Sequence, residues 1–370
     1  MHDLISLLRT LVSFAIVLGV LVFVHEMGHY LAARWRGVHV ETFSIGFGQA
    51  LARWTDKRGT VWKLAWIPLG GYVKLHGQER LEDVSPEERA SWQAGRTFHE
   101  KPVWSRMIVI AAGPIANFIL AAVLFIGLFL VVGKPIAEPV IGQIVPNSVA
   151  SHANLKVGDL IENVGGTPIK SFADIQHQVA PNPGKDIGLT VKRGDNTIIL
   201  RLKIGSAADG HGGDRGVLGI VEGAPSFERL GPGEAVVQGL HETWTVGRET
   251  LAGLWQIAAH RTGLSELGGP LRIASLSGQV AAMGIASLIS FIAVLSVNLG
   301  LINLFPIPVL DGGHLVFYLA EAIRGRPISP KAQEYGFRAG FALLLCLFIF
   351  ATWNDVNQLG FVRWVTHLAG

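Results

Sequence analysis

Long stretches of this chain carry no charged residue, and that absence most constrains what it can fold into. The first uncharged stretch runs from Thr10 to Val24 and resumes as Met27 to Ala33 after a single interruption, His25-Glu26. The second, Met107 to Gly133, is continuous. The third, Ile273 to Leu310, is longer than one straight span needs. Its first part is therefore expected to be an interfacial helix or loop leading to a membrane helix near Ala286 to Leu304. The fourth, Ala339 to Asn354, is long enough to span if Gly336 and Phe337 join it. We therefore expect a polytopic α-helical membrane protein with four transmembrane helices and both termini on one side. Composition agrees: charged residues are 16% of the chain, against roughly 25% in soluble domains.

Arg9 precedes the first apolar run as in a secretory signal peptide, but no convincing small-residue cleavage site follows, and His25-Glu26 falls where such a peptide is featureless. Basic residues mark the cytoplasmic loops. Arg34 to Lys101 carries eleven Lys and Arg, and the loop before the fourth span carries Arg324, Arg326 and Lys331. Both are expected inside, so Lys134 to about Arg272 is expected outside with the termini. The net charge of +3, from 31 basic and 28 acidic residues, is too weak an imbalance to argue for nucleic acid; lipid and protein are the expected partners. The single cysteine, Cys346, excludes an internal disulfide and a thiolate metal cluster.

The extramembrane regions differ in kind. Between Gly37 and Leu75 polar and apolar residues alternate, as in Thr60-Val61-Trp62-Lys63-Leu64-Ala65-Trp66, with Gly46, Gly48 and Gly70-Gly71 as punctuation. That is strand patterning, and Trp54, Trp62 and Trp66 suit a sheet at the headgroup level, although they could equally form a small core. Leu81 to Glu100 is polar, helical or loose, and expected to be solvated. The outer region predicts short strands near 140–145, 155–161, 187–192 and 197–204, a helix over 171–179 and a linker at Gly205 to Gly216. Beyond it, Leu240, Trp244, Gly247, Leu251, Leu254 and Ala258 share one helical stripe.

His25-Glu26-Met27-Gly28-His29 matches H-E-x-x-H at the end of the first apolar run. On a helix the two imidazoles project from one face and can share a metal ion, with Glu26 placed to take a proton from water on it. Two histidines and a glutamate in lipid are expensive to bury without such a partner. A catalytic zinc takes three protein ligands, so another is needed. Asn303-Leu304-Phe305-Pro306-Ile307-Pro308-Val309-Leu310-Asp311-Gly312-Gly313-His314 ends the third run, where two prolines free the backbone to bend. Asp311, the first acid after Glu266, is favoured because a carboxylate offsets metal charge in a low-dielectric site; His314 is the alternative.

These residues resemble the site-2 proteases, intramembrane zinc metalloproteases, and among them the bacterial regulator-of-sigma-E protease group. Gly113-Pro114 with Asn117 in the second span and Gly268-Gly269-Pro270 before the third also match stretches typical of that group. The resemblance covers nearly the whole chain. It implies His25, His29 and Asp311 as zinc ligands, Glu26 as catalytic acid/base and Asn303 as a substrate-positioning residue. It also implies that the 37–75 strands form a membrane-associated β-loop, and that 134–206 is a single PDZ-like α+β domain, recognised in Asn154 to Ile161 and Gly165-Gly166. Many enterobacterial members carry two such domains, and Lys134 to Arg272 leaves room for one plus a helical segment. The implied organisation is then 1–36 first span, 37–104 β-loop and linker, 105–133 second span, 134–206 PDZ-like domain, and 207–272 linker and amphipathic helix. The third span with its motif follows at 273–314, a cytoplasmic loop at 315–335, and the fourth span with the tail at 336–370. The implied setting is the bacterial inner membrane, with the termini and the PDZ-like domain outside the cytoplasm. The implied substrates are single-span membrane proteins such as trimmed anti-sigma factors, cut after a site-1 protease. A catalytically inactive scaffold would not need the intact His25, Glu26, His29 and Asp311. A transporter would need an internal repeat that the chain does not show.

Overall fold

The computed structural model describes residues 2–78, 84–85, 92–136, 138–208, 214–223, 226–259 and 268–358. Most of the polar stretch 81–91 and the tail beyond Gln358 lie outside the described residues. The chain divides into two compact units, 1–128 with 232–370, and 129–231.

In the first unit α1 (His2–Trp35) is a single helix of 34 residues, about 51 Å long and more than a bilayer core requires. Its carboxyl-terminal end packs on a sheet made by β1 (Val40–Thr55) and β2 (Val61–Leu75). Both strands fold back on themselves. Thr42 to Ile45 are flanked by Gly71 to Lys74 on one side and Val61 to Leu64 on the other. The bend falls at Gly46 and Gly48, whose φ values of 85° and 88° suit residues without a Cβ. Of the three tryptophans, Trp62 packs on Phe43 with ring centroids 4.5 Å apart, while Trp54 and Trp66 are exposed. Asp56 closes the turn back onto α1, accepting from Trp62 Nε1 at 3.2 Å and Tyr30 Oη at 3.4 Å. α2 (Val103–Val131) then follows.

The inserted unit holds β3 (Lys134–Ile136), β4 (Ile141–Ile144), α3 (Val149–His152), β5 (Leu160–Val164), β6 (Thr167–Pro168) and α4 (Phe172–Val179). β7 (Asp186–Arg193), β8 (Asn196–Lys203), β9 (Gly205–Ala208), β10 (Asp214–Val217), β11 (Ile220–Glu222) and β12 (Ser226–Glu228) complete it. Its main sheet has the order β6-β5-β7-β8, with β4 paired to β11 and β3 to β12. Ile141, Ile161, Val164, Phe172, Ile175, Leu189, Val191 and Leu218 form one buried core. The stretch 155–159, expected as strand, is instead the turn into β5, held by Asp159. The unit also runs past the boundary expected at 206, because Leu218 is buried in its core and Gly216 N–H donates to the Ala180 carbonyl at 2.8 Å. The expected linker carries β9, whose Gly-Ser-Ala-Ala has no apolar alternation to read, and β10, which at four residues is too short to show one.

The first unit resumes with α5 (Pro232–Ala258), α6 (Pro270–Ala282), α7 (Ile285–Leu304), α8 (Asp311–Arg324) and α9 (Pro330–Gln358). The third apolar stretch is two helices, broken at Gly284, where φ is 117°. α5 packs on the bundle: Thr250 Oγ1 donates to Asn298 Oδ1 of α7 at 2.7 Å. Asp355 near the end of α9 accepts from the amides of Gly269 and Arg272 at 2.8 and 3.0 Å, satisfying the open amino terminus of α6. Among the described residues four helices are long and apolar enough to cross a membrane: Leu4–Trp35, Val103–Val131, Ile285–Leu304 and Pro330–Asn357.

Candidate metal centre

His25 and His29 lie one turn apart on α1 and both rings turn toward α2. Gly113 makes room for them: a Cβ there would overlap His29 Nε2 and stand 2.9 Å from His25 Cε1. Gly28 does the same for the backbones, since a Cβ on it would overlap the Ala112 carbonyl and stand 2.8 Å from Ala116 Cβ. Two glycines on facing helices thus let α1 and α2 meet at the depth of the rings.

Asp311 reaches the same place by a tight turn. α7 ends at Leu304, the segment with Pro306 and Pro308 reverses the chain, and Asp311 opens α8. Any Cβ on Gly312 or Gly313 would overlap the carbonyls of Leu304, Phe305 or Ile307, so only glycines allow α8 to restart this close to the end of α7. The aspartate Oδ2 then lies 3.2 Å from His25 Nε2 and 3.5 Å from His29 Nε2. The two Nε2 atoms are 3.2 Å apart.

This donor set fits a zinc ion. His29 Nδ1–H donates to the Val109 carbonyl at 2.9 Å, so the lone pair of that ring is on Nε2 and points at a carboxylate oxygen. Asp311 Oδ2 is buried and makes no hydrogen bond. Electron pairs facing one another in a dry site repel unless a cation lies between them. Ligands about 2.0–2.1 Å from a tetrahedral ion stand about 3.3 Å from each other, close to the separations found here.

Among the described residues, His25, His29 and Asp311 are the group of donors within 4.8 Å of one another. His314 is outside it: its ring packs on Phe337, with centroids 5.1 Å apart. Glu26 leaves α1 toward β2. A Cβ on Gly71 would be 3.2 Å from its Cγ, so its side chain lies against that strand. Asn303 sits half-buried in the last turn of α7, without a side-chain hydrogen bond among the described residues. The asparagine beside the rings is Asn117, fully buried, with Nδ2 3.2 Å from His25 Nδ1. The Val109 carbonyl is a partner that sequence reading missed, because a backbone group carries no residue-type signal.

The sequence pattern of Peptidase family M50 matches residues 13–347. The chain belongs to that family. A candidate zinc metalloprotease of Rhizobium meliloti is 44% identical over 371 residues, covering 96% of this chain and 98% of the relative. Regulator of sigma-E protease RseP of Escherichia coli is 34% identical over 458 residues, covering 96% of this chain and all of that protein. Among solved structures, the PDZ domain of an SdrC-like protein from Listeria monocytogenes overlaps 23% of this chain and 87% of its own, at 18% identity and a TM-score of 0.21. As a family M50 member, the chain is a zinc-dependent metalloprotease.

Proposed function

We propose that this family M50 protease hydrolyses peptide bonds in or beside the transmembrane segment of single-span membrane proteins, with zinc held by His25, His29 and Asp311. The observation that carries the reading is the convergence of three lone-pair donors from two separate helices, with Glu26 next to them and against strand β2. Bound there, zinc supplies Lewis acidity at the scissile carbonyl and acidifies a water molecule. Glu26 accepts the proton from that water and returns it to the leaving amide nitrogen.

A peptide bond in a membrane helix is shielded by its own hydrogen bonds, so the substrate must unwind and its freed groups need partners. The strand Gly71 to Leu75 borders Glu26, so an extended substrate added beside this β-loop would lie along the site by main-chain bonds, with little demand on its sequence. Asn303, on the last turn of α7, is proposed to position that substrate. The basic residues of the 34–101 and 324–331 segments support a cytoplasmic β-loop in a bacterial inner membrane, with the termini and the inserted unit outside. The inserted unit, a four-stranded sheet with α4 against it, is read as one PDZ-like domain. The E. coli relative aligns over 458 positions against 370 residues here, which agrees with a single such domain in this chain. Its proposed role is to reject substrates that still carry a large outer domain, which places this protease after a site-1 protease on targets such as anti-sigma factors.

The test is cleavage of a purified single-span substrate in detergent. Glu26→Gln should keep zinc, because the amide fills the same space, and slow cleavage by at least about 10²–10⁴-fold. A chelator should stop the wild type. Turnover that survives both treatments would remove Glu26 and the metal from the reaction.

A further inference from the structure

His29 is oriented by a backbone carbonyl, and His25 must be oriented by something else. The group nearest its Nδ1 is the side chain of Asn117, one turn beyond Gly113 on α2. Asn117 is fully buried, and its own backbone carbonyl accepts from Ser296 Oγ of α7 at 2.8 Å, which ties its position to a second helix. Its Nδ2 is 3.2 Å from His25 Nδ1, while its Oδ1 is buried and has no hydrogen-bond partner.

The two ends of an amide exchange places by a half-turn of the side chain, and which end faces a ring is decided by the hydrogen bonds that result. With the nitrogen toward the ring, Asn117 donates to Nδ1, so neutral His25 carries its proton on Nε2. That proton would point at Asp311 Oδ2 and His29 Nε2, 3.2 Å away on either side, and the ring could not ligate. Turned over, Oδ1 accepts from Nδ1–H, the amide nitrogen takes the place the oxygen leaves, and the Nε2 lone pair faces the other two donors. A hydrogen bond on the far nitrogen of a ligating imidazole fixes both tautomer and ring angle.

We propose that Asn117 is a positioning residue for the metal centre, with its side-chain oxygen accepting from His25 Nδ1–H. This deepens the zinc-site reading above and rests on it. Asn117 touches no reacting atom and acts only through His25.

The test measures zinc affinity of the full-length protein in detergent, by competition between Zn²⁺ and a chromogenic chelator. Asn117→Leu keeps the volume and removes the acceptor, and should weaken zinc about 10–100-fold. Asn117→Asp keeps an acceptor oxygen and has no N–H, and should stay within a few-fold of wild type or bind more tightly. A variant that only loosened the helices would not be rescued by this exchange, so the contrast separates orientation from packing. Wild-type affinity in Asn117→Leu, or equal losses in Leu and Asp, overturns the proposal. His25→Ala is the control for the site itself: if it retains zinc, the zinc-site reading fails; if it loses zinc while Asn117→Leu does not, only the role of Asn117 fails.

Discussion

Asp159 in the inserted unit and Asp311 in the membrane unit are both withdrawn from solvent, with side-chain exposures of 1% and 15%. Asp159 is saturated. Its oxygens take both Nε and Nη2 of Arg193 at 2.7 Å and the Lys156 amide at 2.8 Å. Asp311 faces two imidazole nitrogens, and Oδ2 makes no hydrogen bond. Native folds rarely leave a buried carboxylate oxygen without a donor, so the second arrangement marks a place where the fold expects something from outside. One carboxylate holds a domain together and the other is the proposed third ligand of the metal.

The largest effects should come from breaking the unsaturated one. Asp311→Ala is expected to reduce zinc from stoichiometric to trace by elemental analysis, with cleavage lost alongside. Full zinc in Asp311→Ala with loss in His314→Ala would move the third ligand to His314 and undo the comparison. Gly113→Ala is the next step down. Overpacking at this crossing costs about 1–3 kcal/mol, and strain delivered to the rings would weaken zinc roughly 10–100-fold. An alanine variant with wild-type zinc affinity would show that the helices separate freely and that Gly113 is not what seats the rings.

How much of this was legible from residues alone depends on whether a pattern needs side chains. The four spans and the H-E-x-x-H pair announce themselves through charge and helical spacing. Asp311 could be named because the prolines before it break a helix and no other acid was near. The doubling back of β1 and β2 was not legible: Gly46 and Gly48 signalled punctuation, but that Thr42 to Ile45 would lie between two parts of β2 is a long-range pairing. The extension of the inserted unit beyond 206 was hidden for a related reason. The small residues of β9 leave no alternation, and the membership of the four-residue β10 is decided by Leu218 and by the Gly216 amide, far from their partners in sequence.

Asp159→Asn should damage the inserted unit and spare the metal. Losing one partner of a buried pair costs about 3 kcal/mol, read as faster amide exchange in β5 and β7 of the full-length protein, with zinc content unchanged. The pH dependence follows. Burial pushes the Asp159 carboxyl up, but the bonds from Arg193 and the Lys156 amide outweigh it and hold it below the usual carboxylate range. A carboxyl depressed in the folded state contributes stability that is full above its unfolded value of about 3.9 and is lost as pH falls through the folded value. Protection in β5 and β7 should therefore decline only in acid, and Asp159→Asn should flatten that decline. A decline of equal size in the variant would assign it to other groups.

The smallest expected effect tests whether the two units respond separately. α4 begins with a reciprocal cap: Ser171 Oγ accepts from the Asp174 amide at 3.3 Å, and the Asp174 carboxylate accepts from the Ser171 and Lys170 amides at 2.9 and 3.0 Å. Ser171→Ala removes only one half of the box, since the Asp174 carboxylate still reaches back to the chain. The cost should lie near about 1 kcal/mol, which is roughly a fivefold faster exchange of the first amides of α4 where local opening governs exchange. Phe172, Ile175 and Val179 keep their places in the core, so the rest of the unit should hold its protection. Zinc affinity should not move, because the cap belongs to the inserted unit and His25, His29 and Asp311 to the other. A shift in zinc affinity from so slight a change in the inserted unit would mean that the saturated and unsaturated carboxylates belong to one coupled system, and the contrast between them would have to be redrawn.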